Sequence, residues 1–126
     1  MEKFIEIVMM EESYRHLRRS DCASSEGWNG RLEGRDVQSN VSFLFHEVDC
    51  AGKGPPLHKH PYDEICIVRQ GKANVVVGES ELEVSEGDIL IVPAQTPHKV
   101  STAGKGVTEI ISVHASDRFR AEMLEK

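Results

Sequence analysis

Over the last two-thirds of the chain, apolar residues cluster in short runs that alternate with polar positions, and turn-forming residues separate the runs at near-even intervals. The runs are V-S-F-L-F-H-E-V (41–48), E-I-C-I-V (64–68), A-N-V-V-V (73–77), E-L-E-V (81–84), D-I-L-I-V (88–92), H-K-V-S (98–101) and V-T-E-I-I-S-V-H (107–114). Between them stand A-G-K-G-P-P, R-Q-G, G-E-S, S-E-G, P-A-Q-T-P and T-A-G-K-G. Alternation with period two marks strands, and Gly/Pro/Ser clusters mark the turns that end them. Seven short strands with no helical pattern between them predict an all-β sandwich or barrel.

The two ends read differently. K-F-I-E-I-V (3–8) has the texture of a further strand, and Glu11 to Arg19 carries charge spacing that predicts a helical turn or two. The basic run Arg15 to Arg19 then reads as a solvated helix face. Asp21 to Asp36 is rich in Ser, Gly and Asp and predicts irregular structure, with Trp28 plugging the end of the core. The tail from Ser116 predicts a closing helix: Ser116 caps it, Phe119 and Met123 share a face, and Glu122 pairs with Lys126. The expected layout is one domain over 1–126, with an N-terminal extension (1–40), a core barrel (about 41–114) and a C-terminal helix (about 116–125).

Composition narrows the classes. The chain has 126 residues, 39% hydrophobic and 29% charged, which is ordinary for a globular protein and enough for one core. Its net charge of −6 argues against general phosphate-backbone binding, so no nucleic-acid partner is expected. No signal-peptide pattern or membrane-length apolar run is present, and the expected location is cytoplasmic. Cys22, Cys50 and Cys66 are odd in number and lack C-x-x-C spacing, so reduced thiols are expected rather than a disulfide framework or a thiolate zinc site.

The candidate chemistry lies in G-K-G-P-P-L-H-K-H-P-Y-D-E-I-C-I-V-R-Q-G, Gly52 to Gly71. His58 and His60 are two apart, and Pro61 biases His60 toward extended backbone, so both imidazoles project to one side. Glu64 follows after a short turn and can face them. Two imidazoles and a carboxylate on one face match the facial arrangement of non-heme iron sites, and a nitrogen/oxygen set also suits Mn, Co, Ni or Zn. In G-D-I-L-I-V-P-A-Q-T-P-H (87–98) a strand ends at Pro93, and the following turn delivers His98 at the next strand's start, where an antiparallel barrel can set it opposite the first cluster.

These two stretches resemble the cupin motifs. Gly52-x5-His58-x-His60-x3-Glu64-x6-Gly71 fits the first motif at every specified position. Gly87-x5-Pro93 followed by His98 fits the second, G-x5-P-x-G-x2-H-x3-N, except that Gln95 replaces its Gly and Thr102 its Asn. The intermotif segment, Lys72 to Glu86, is short, as in small single-domain microbial cupins. The resemblance implies a double-stranded β-helix, or jelly-roll barrel, and one divalent metal ion (Fe, Mn, Ni, Co or Zn) held by His58, His60, Glu64 and His98. An ion with four protein ligands out of six keeps two adjacent positions for water, dioxygen or a chelating substrate.

Other residues are weighed against this site. His46 and His114 lie in strand runs and are expected to be structural; if His114 faces inward, Ile110 and Ser112 share its side. Tyr62 is expected to pack at the barrel mouth, Gln95 to be an exposed turn residue, His16 to be exposed and Cys66 to be a small filler on Glu64's face. Ile65 and Ile67 make the opposite face of the same strand apolar, which implies a cover, expected as a homodimer with the N-terminal segment as the alternative. The function expected first is a metal-dependent oxygenase acting on a small organic molecule, with Glu64 as ligand or base. A metallo-module that binds a small ligand without turnover and a sugar isomerase or epimerase are the alternatives.

Overall fold

A computed structural model of the chain describes residues 14–24, 27–49 and 54–125. The strands are β1 (Ala23–Ser24), β2 (Gly30–Leu32), β3 (Ser42–Val48), β4 (His58–Lys59), β5 (Glu64–Gln70), β6 (Lys72–Val77), β7 (Ser80–Ser85), β8 (Ile89–Val92), β9 (His98–Thr102), β10 (Thr108–His114) and β11 (Glu122–Met123). The seven runs expected from alternation are β3 and β5 to β10, each within two residues of its expected ends. They form two antiparallel sheets, one ordered β1-β2-β3-β10-β5-β8 and the other β11-β4-β9-β6-β7. This is the expected all-β jelly-roll architecture, and no helix among the described residues is long and apolar enough to cross a membrane.

Alternation decides what faces inward. In β10, Thr108, Ile110, Ser112 and His114 are buried and the residues between them are half-exposed. Ile110 sits opposite His46, Ser112 opposite Leu44 and His114 opposite Ser42 on β3. On the other flank Ile110 is opposite Val68, Ser112 opposite Cys66 and His114 opposite Glu64 on β5. The larger sheet therefore sets His114, Glu64 and Val92 side by side near one end of the barrel. At the far end Val68, Ala73, Val75 and Val84 close the core across both sheets.

The outer face of the larger sheet is covered unevenly. Over β3, the Arg19 guanidinium lies 4.2 Å from the Phe45 ring centre and Trp28 packs edge-on against Phe45 at 5.4 Å. Trp28 thus covers the outside of the sheet and does not plug the end of the core. Arg15 donates to the carbonyls of Val37 (3.1 Å) and Gln38 (2.8 Å). Tyr14 to Arg18 are not helical, and among the described residues before β1 the helical turn is 3-10, at Arg19–Asp21. The expected solvated helix face is replaced by arginines that pack on rings and bind main-chain oxygens. His16 is exposed as expected. Over β8, Ile89 and Ile91 remain 66% and 60% exposed beside Ile67 and Ile65. The expected strand at 3–8, Cys50 and Gly52 lie outside the described residues.

The expected C-terminal helix does not form. Residues 115–118 bend, and the chain then crosses the barrel mouth to β11, which pairs with β4 through Glu122↔Lys59 and Met123↔His58. An isolated helix of about ten residues is marginal in water, and here tertiary partners take the backbone groups it would use. The Arg120 carbonyl accepts from His60 Nδ1 (2.7 Å), and the Leu124 N–H donates to Leu57 O (2.8 Å). The Phe119 N–H donates to Glu33 (2.9 Å), and the Arg120 N–H to the Tyr62 hydroxyl (3.2 Å).

Gly71 joins β5 to β6 at φ +87°, in the left-handed region, where a Cβ would come within 2.7 Å of the Val107 carbonyl oxygen. Gly87 has a similar φ of +91° but open space around it. Gly71→Ala is therefore expected to cost about 3 kcal/mol and Gly87→Ala about 1 kcal/mol, with only the first combining backbone strain and a steric clash. Urea unfolding of both variants checks the order.

Candidate metal centre

His58 and His98 are direct register partners on β4 and β9, so the smaller sheet presents two imidazoles next to each other, with ring centres 4.4 Å apart. His60 follows β4, and its ring lies 4.8 Å from His58 and 5.1 Å from His98. Glu64 opens β5 on the facing sheet and sends its carboxylate into the same point. Glu64 Oε1 is 3.0 Å from His98 Nε2 and 3.1 Å from His60 Nε2. One ligand atom from each of the four residues lies within 4.8 Å of the others. The structure therefore brings together all four positions singled out in the sequence.

The outer nitrogens show how the rings are aimed. His58 Nδ1 lies 2.7 Å from the Pro56 carbonyl, His60 Nδ1 2.7 Å from the Arg120 carbonyl, and His98 Nδ1 2.9 Å from the Thr96 carbonyl. A carbonyl only accepts, so each Nδ1 carries the proton, and in the neutral ring Nε2 keeps a lone pair turned toward the centre. His60 Nε2 is buried and has no hydrogen-bond partner, because its approach to Glu64 is off hydrogen-bond geometry. Lone pairs of imidazole and carboxylate aimed at one another repel unless a proton or a cation lies between them. The donor set of three nitrogens and one carboxylate fits a divalent ion of the Fe, Mn, Co, Ni or Zn group.

Without metal, protons do this work. Burial opposes the charge on Glu64, but the adjacent His60, His98 and His114 imidazoles outweigh it and hold the carboxyl well below the usual carboxylate range. Burial likewise disfavours protonated His98, yet the Glu64 carboxylate and the Thr96 carbonyl raise its pKa. His58 moves the other way: burial and the nearby His98 and His60 lower it despite the Pro56 carbonyl. His98 and Glu64 thus form a buried ion pair beside a neutral His58.

A family model described as the cupin domain matches residues 45–114, more than half of the chain. The chain belongs to the cupin family. The match begins inside β3 and ends at His114, taking in all four clustered residues. An uncharacterized protein of Methanocaldococcus jannaschii, MJ1618, is 32% identical over 56 residues, a stretch covering 44% of this chain and 45% of that protein. The chain thus aligns with less than half of that relative's length. A double-stranded β-helix protein from Klebsiella pneumoniae superposes with a TM-score of 0.69 at 18% identity, covering 90% of this cupin and all of that chain. Oxalate decarboxylase from Bacillus subtilis, a protein with Mn(II) centres, superposes with a TM-score of 0.71 at 20% identity over 85% of this chain and 31% of its own. At such identities the structural likeness is one of fold.

The two departures from the second cupin motif have local explanations. Gln95, where the motif has Gly, sits at φ +67°, a left-handed backbone that Gly adopts without strain. Its N–H donates to the His60 carbonyl at 2.7 Å, so this turn braces a clustered histidine although the Gln95 side chain is exposed. Thr102, where the motif has Asn, accepts from Asn74 Nδ2 at 3.1 Å across β6 and β9.

His46 and His114 both line the cavity next to the cluster, and His114 is the residue whose involvement the sequence analysis understated. It is 3% exposed, and its Nε2 lies 3.6 Å from Glu64 Oε2 with no hydrogen-bond partner. The Tyr62 hydroxyl lies 2.7 Å from His114 Nδ1 and already accepts from the Arg120 N–H. When the hydroxyl donates to Nδ1, every group in that chain is used once, and His114 presents its proton from Nε2. Burial and the surrounding imidazoles lower its pKa to about 4, so it is neutral near pH 7. Tyr62 also stacks on the His60 ring, 5.0 Å between centres, which joins the expected packing role to a hydrogen-bonding one. Cys66 donates to Glu64 Oε2 at 3.3 Å, and burial and that carboxylate raise its pKa strongly, leaving a neutral thiol. The signal for His114 was the alternation in T-E-I-I-S-V-H. Nothing local in the sequence pointed to the Arg120 carbonyl.

The Glu64–His98 pair sets a pH dependence. In the metal-free protein Glu64's contribution to stability is complete above its ordinary value of 4.5 and is lost as pH falls, since its folded pKa is lowered. His98's contribution is complete below its ordinary 6.5 and is lost as pH rises through the raised value. Metal must displace the proton on His98, so titrating the protein with Mn(II) in weak buffer is expected to release more protons below the raised His98 value than above it. Glu64→Gln is expected to reduce that difference. Proton release measured with an indicator dye decides it.

Proposed function

We propose that this cupin binds one divalent metal ion through His58, His60, Glu64 and His98 and uses it as an oxygenase on a small organic molecule. The observation that carries the reading is the set of three imidazoles locked by main-chain carbonyls on Nδ1, with Nε2 and the Glu64 carboxylate converging beside an open cavity. A purely structural metal site closes on four protein ligands, whereas this cluster borders a cavity of about 420 Å³. The ion would supply Lewis acidity and, if redox-active, electrons for dioxygen. Around it Glu64 holds negative charge at the centre, while His114 aims a neutral N–H toward Glu64. Met123 and Arg120, from the crossing tail, stand at the mouth. The Mn(II) centres of the B. subtilis enzyme, which shares this fold, favour a redox-active ion.

Elemental analysis and EPR of protein purified without chelating resin test the proposal. About one equivalent of manganese or iron is expected, and His98→Ala is expected to weaken metal affinity by on the order of 100-fold or more. Oxygen uptake with small chelating substrates is the expected activity. Stoichiometric zinc would move the assignment to an isomerase or binding role, saturable ligand binding without product to the non-catalytic module, and failure to bind metal after reconstitution would end the proposal.

We also propose that the homodimer forms on the strip of Ile65, Ile67, Ile89 and Ile91. This strip is apolar, is left bare on β8, and is the same surface in every copy, so an isologous pair can bury it. Light scattering is expected to give twice the chain mass, and Ile89→Glu/Ile91→Glu to give a monomer. A monomeric wild type would refute it.

A further inference from the structure

Strand alternation explains why there is an interior space to occupy. The inward positions beyond the His/Glu cluster are taken largely by Val48, Val68, Val75, Val84, Val92 and Val100, while the larger rings of β3, Phe43 and Phe45, fall on the outer face. Small barrels are usually filled by their own inward side chains. Here short branched residues leave about 420 Å³, within the range of small-molecule sites.

Polar groups in that space are few, and all but His46 gather at one end. Ser112 and Cys66 lie beside Glu64, with Cys66 3.3 Å from its carboxylate and 3.8 Å from the Ser112 hydroxyl. His46 lines the cavity farther in, opposite Ile110 and so level with Val68, and burial lowers its pKa, leaving a neutral imidazole. Three cationic side chains border the cavity. Arg31 is more than half exposed with its guanidinium over Phe119, Lys99 is tied to Glu125 at 2.7 Å, and Arg120 is exposed. Among the described residues no cation points into the apolar part. Water there would find His46 as its side-chain partner, short of the two to four that hold a buried water, and a second anionic group on a ligand would meet no cation.

On β5, Glu64, Cys66 and Val68 point the same way, and Val68 belongs to the cluster that closes the far end. Four residues at about 3.3 Å each place that end roughly 13 Å from Glu64.

We infer that the molecule this site takes is one-headed: a single small oxygen-bearing group at the His58/His60/Glu64/His98 cluster and an apolar body lying along the barrel between the two valine-lined sheets. This deepens the proposed function and rests on it for the head group only. It sets the ligand apart from a small dicarboxylate or a sugar phosphate, both of which carry charge at each end.

The test is calorimetric titration of Mn(II)-loaded protein, without oxygen, with straight-chain monocarboxylates from butanoate to dodecanoate and with oxalate, repeated on metal-free protein. Affinity is expected to rise about threefold to fourfold per added methylene and to level off near ten carbons, with oxalate weaker than octanoate. Val75→Phe is expected to flatten that rise at a shorter chain length than in the wild type, with the metal content of the variant measured alongside. Equal affinities along the series, tighter binding of oxalate, or no binding of any acid would overturn the inference even if the metal binds. A rise with chain length that is identical with and without Mn(II) would support the apolar body and count against the metal reading alone.

Discussion

A buried carboxylate is the constraint on which the rest of this barrel depends. Glu64 is 5% exposed, and an unpaired carboxylate in such a place costs several kcal/mol. Its charge is met from the facing sheet by His98, with His60 aimed at the same point from the adjoining loop. Their positions follow from the His58↔His98 pairing of β4 with β9 and from the extended backbone before Pro61. Each imidazole in turn needs a partner for its outer nitrogen, and the carbonyls of Pro56, Thr96 and Arg120 meet that need. The Arg120 carbonyl belongs to the tail, so the tail's path is part of the solution to burying Glu64.

The same barrel holds a polar end and an apolar end without conflict because the strands change character along their length. β5 runs from Glu64 through Cys66 to Val68, and β10 runs the other way from Ile110 through Ser112 to His114. The β5–β10 pair therefore sets like beside like, carboxylate beside imidazole at one end and isoleucine beside valine at the other, while on the other flank of β10 His46 faces Ile110. The larger side chains that would fill the interior lie outside, where Arg19 and Trp28 pack on Phe45. That distribution gives up some core packing and retains room for a ligand.

Most of the candidate site was legible in the chain. His58, His60 and Glu64 are close in sequence, and the geometry that unites them is set by two-residue periodicity and one proline, both local. His98 was legible through the spacing from Gly87 and Pro93. Trp28 and the arginines from Arg15 to Arg19 were not, because their partners Phe45, Val37 and Gln38 are far along the chain and cation–ring contacts leave no periodic trace. His114 was half legible: alternation put it on the side of Ile110 and Ser112, but its bond to Tyr62 joins residues 52 apart.

By itself the sequence determined the seven main strands, the two faces of 64–68 and the four clustered ligand positions, since alternation, turn chemistry and short spacing act between near neighbours. Only the tertiary structure decided that residues 116–125 form no helix and instead bend and then cross the mouth to a short strand. The Ser116 cap and the Phe119–Met123 spacing favour a helix locally, but that preference is weak over so short a span. The His60 ring nitrogen, the Tyr62 hydroxyl, the Glu33 carboxylate and the free edge of β4 all lie near the mouth and need backbone partners. The chain satisfies those distant groups first, and the helix is lost.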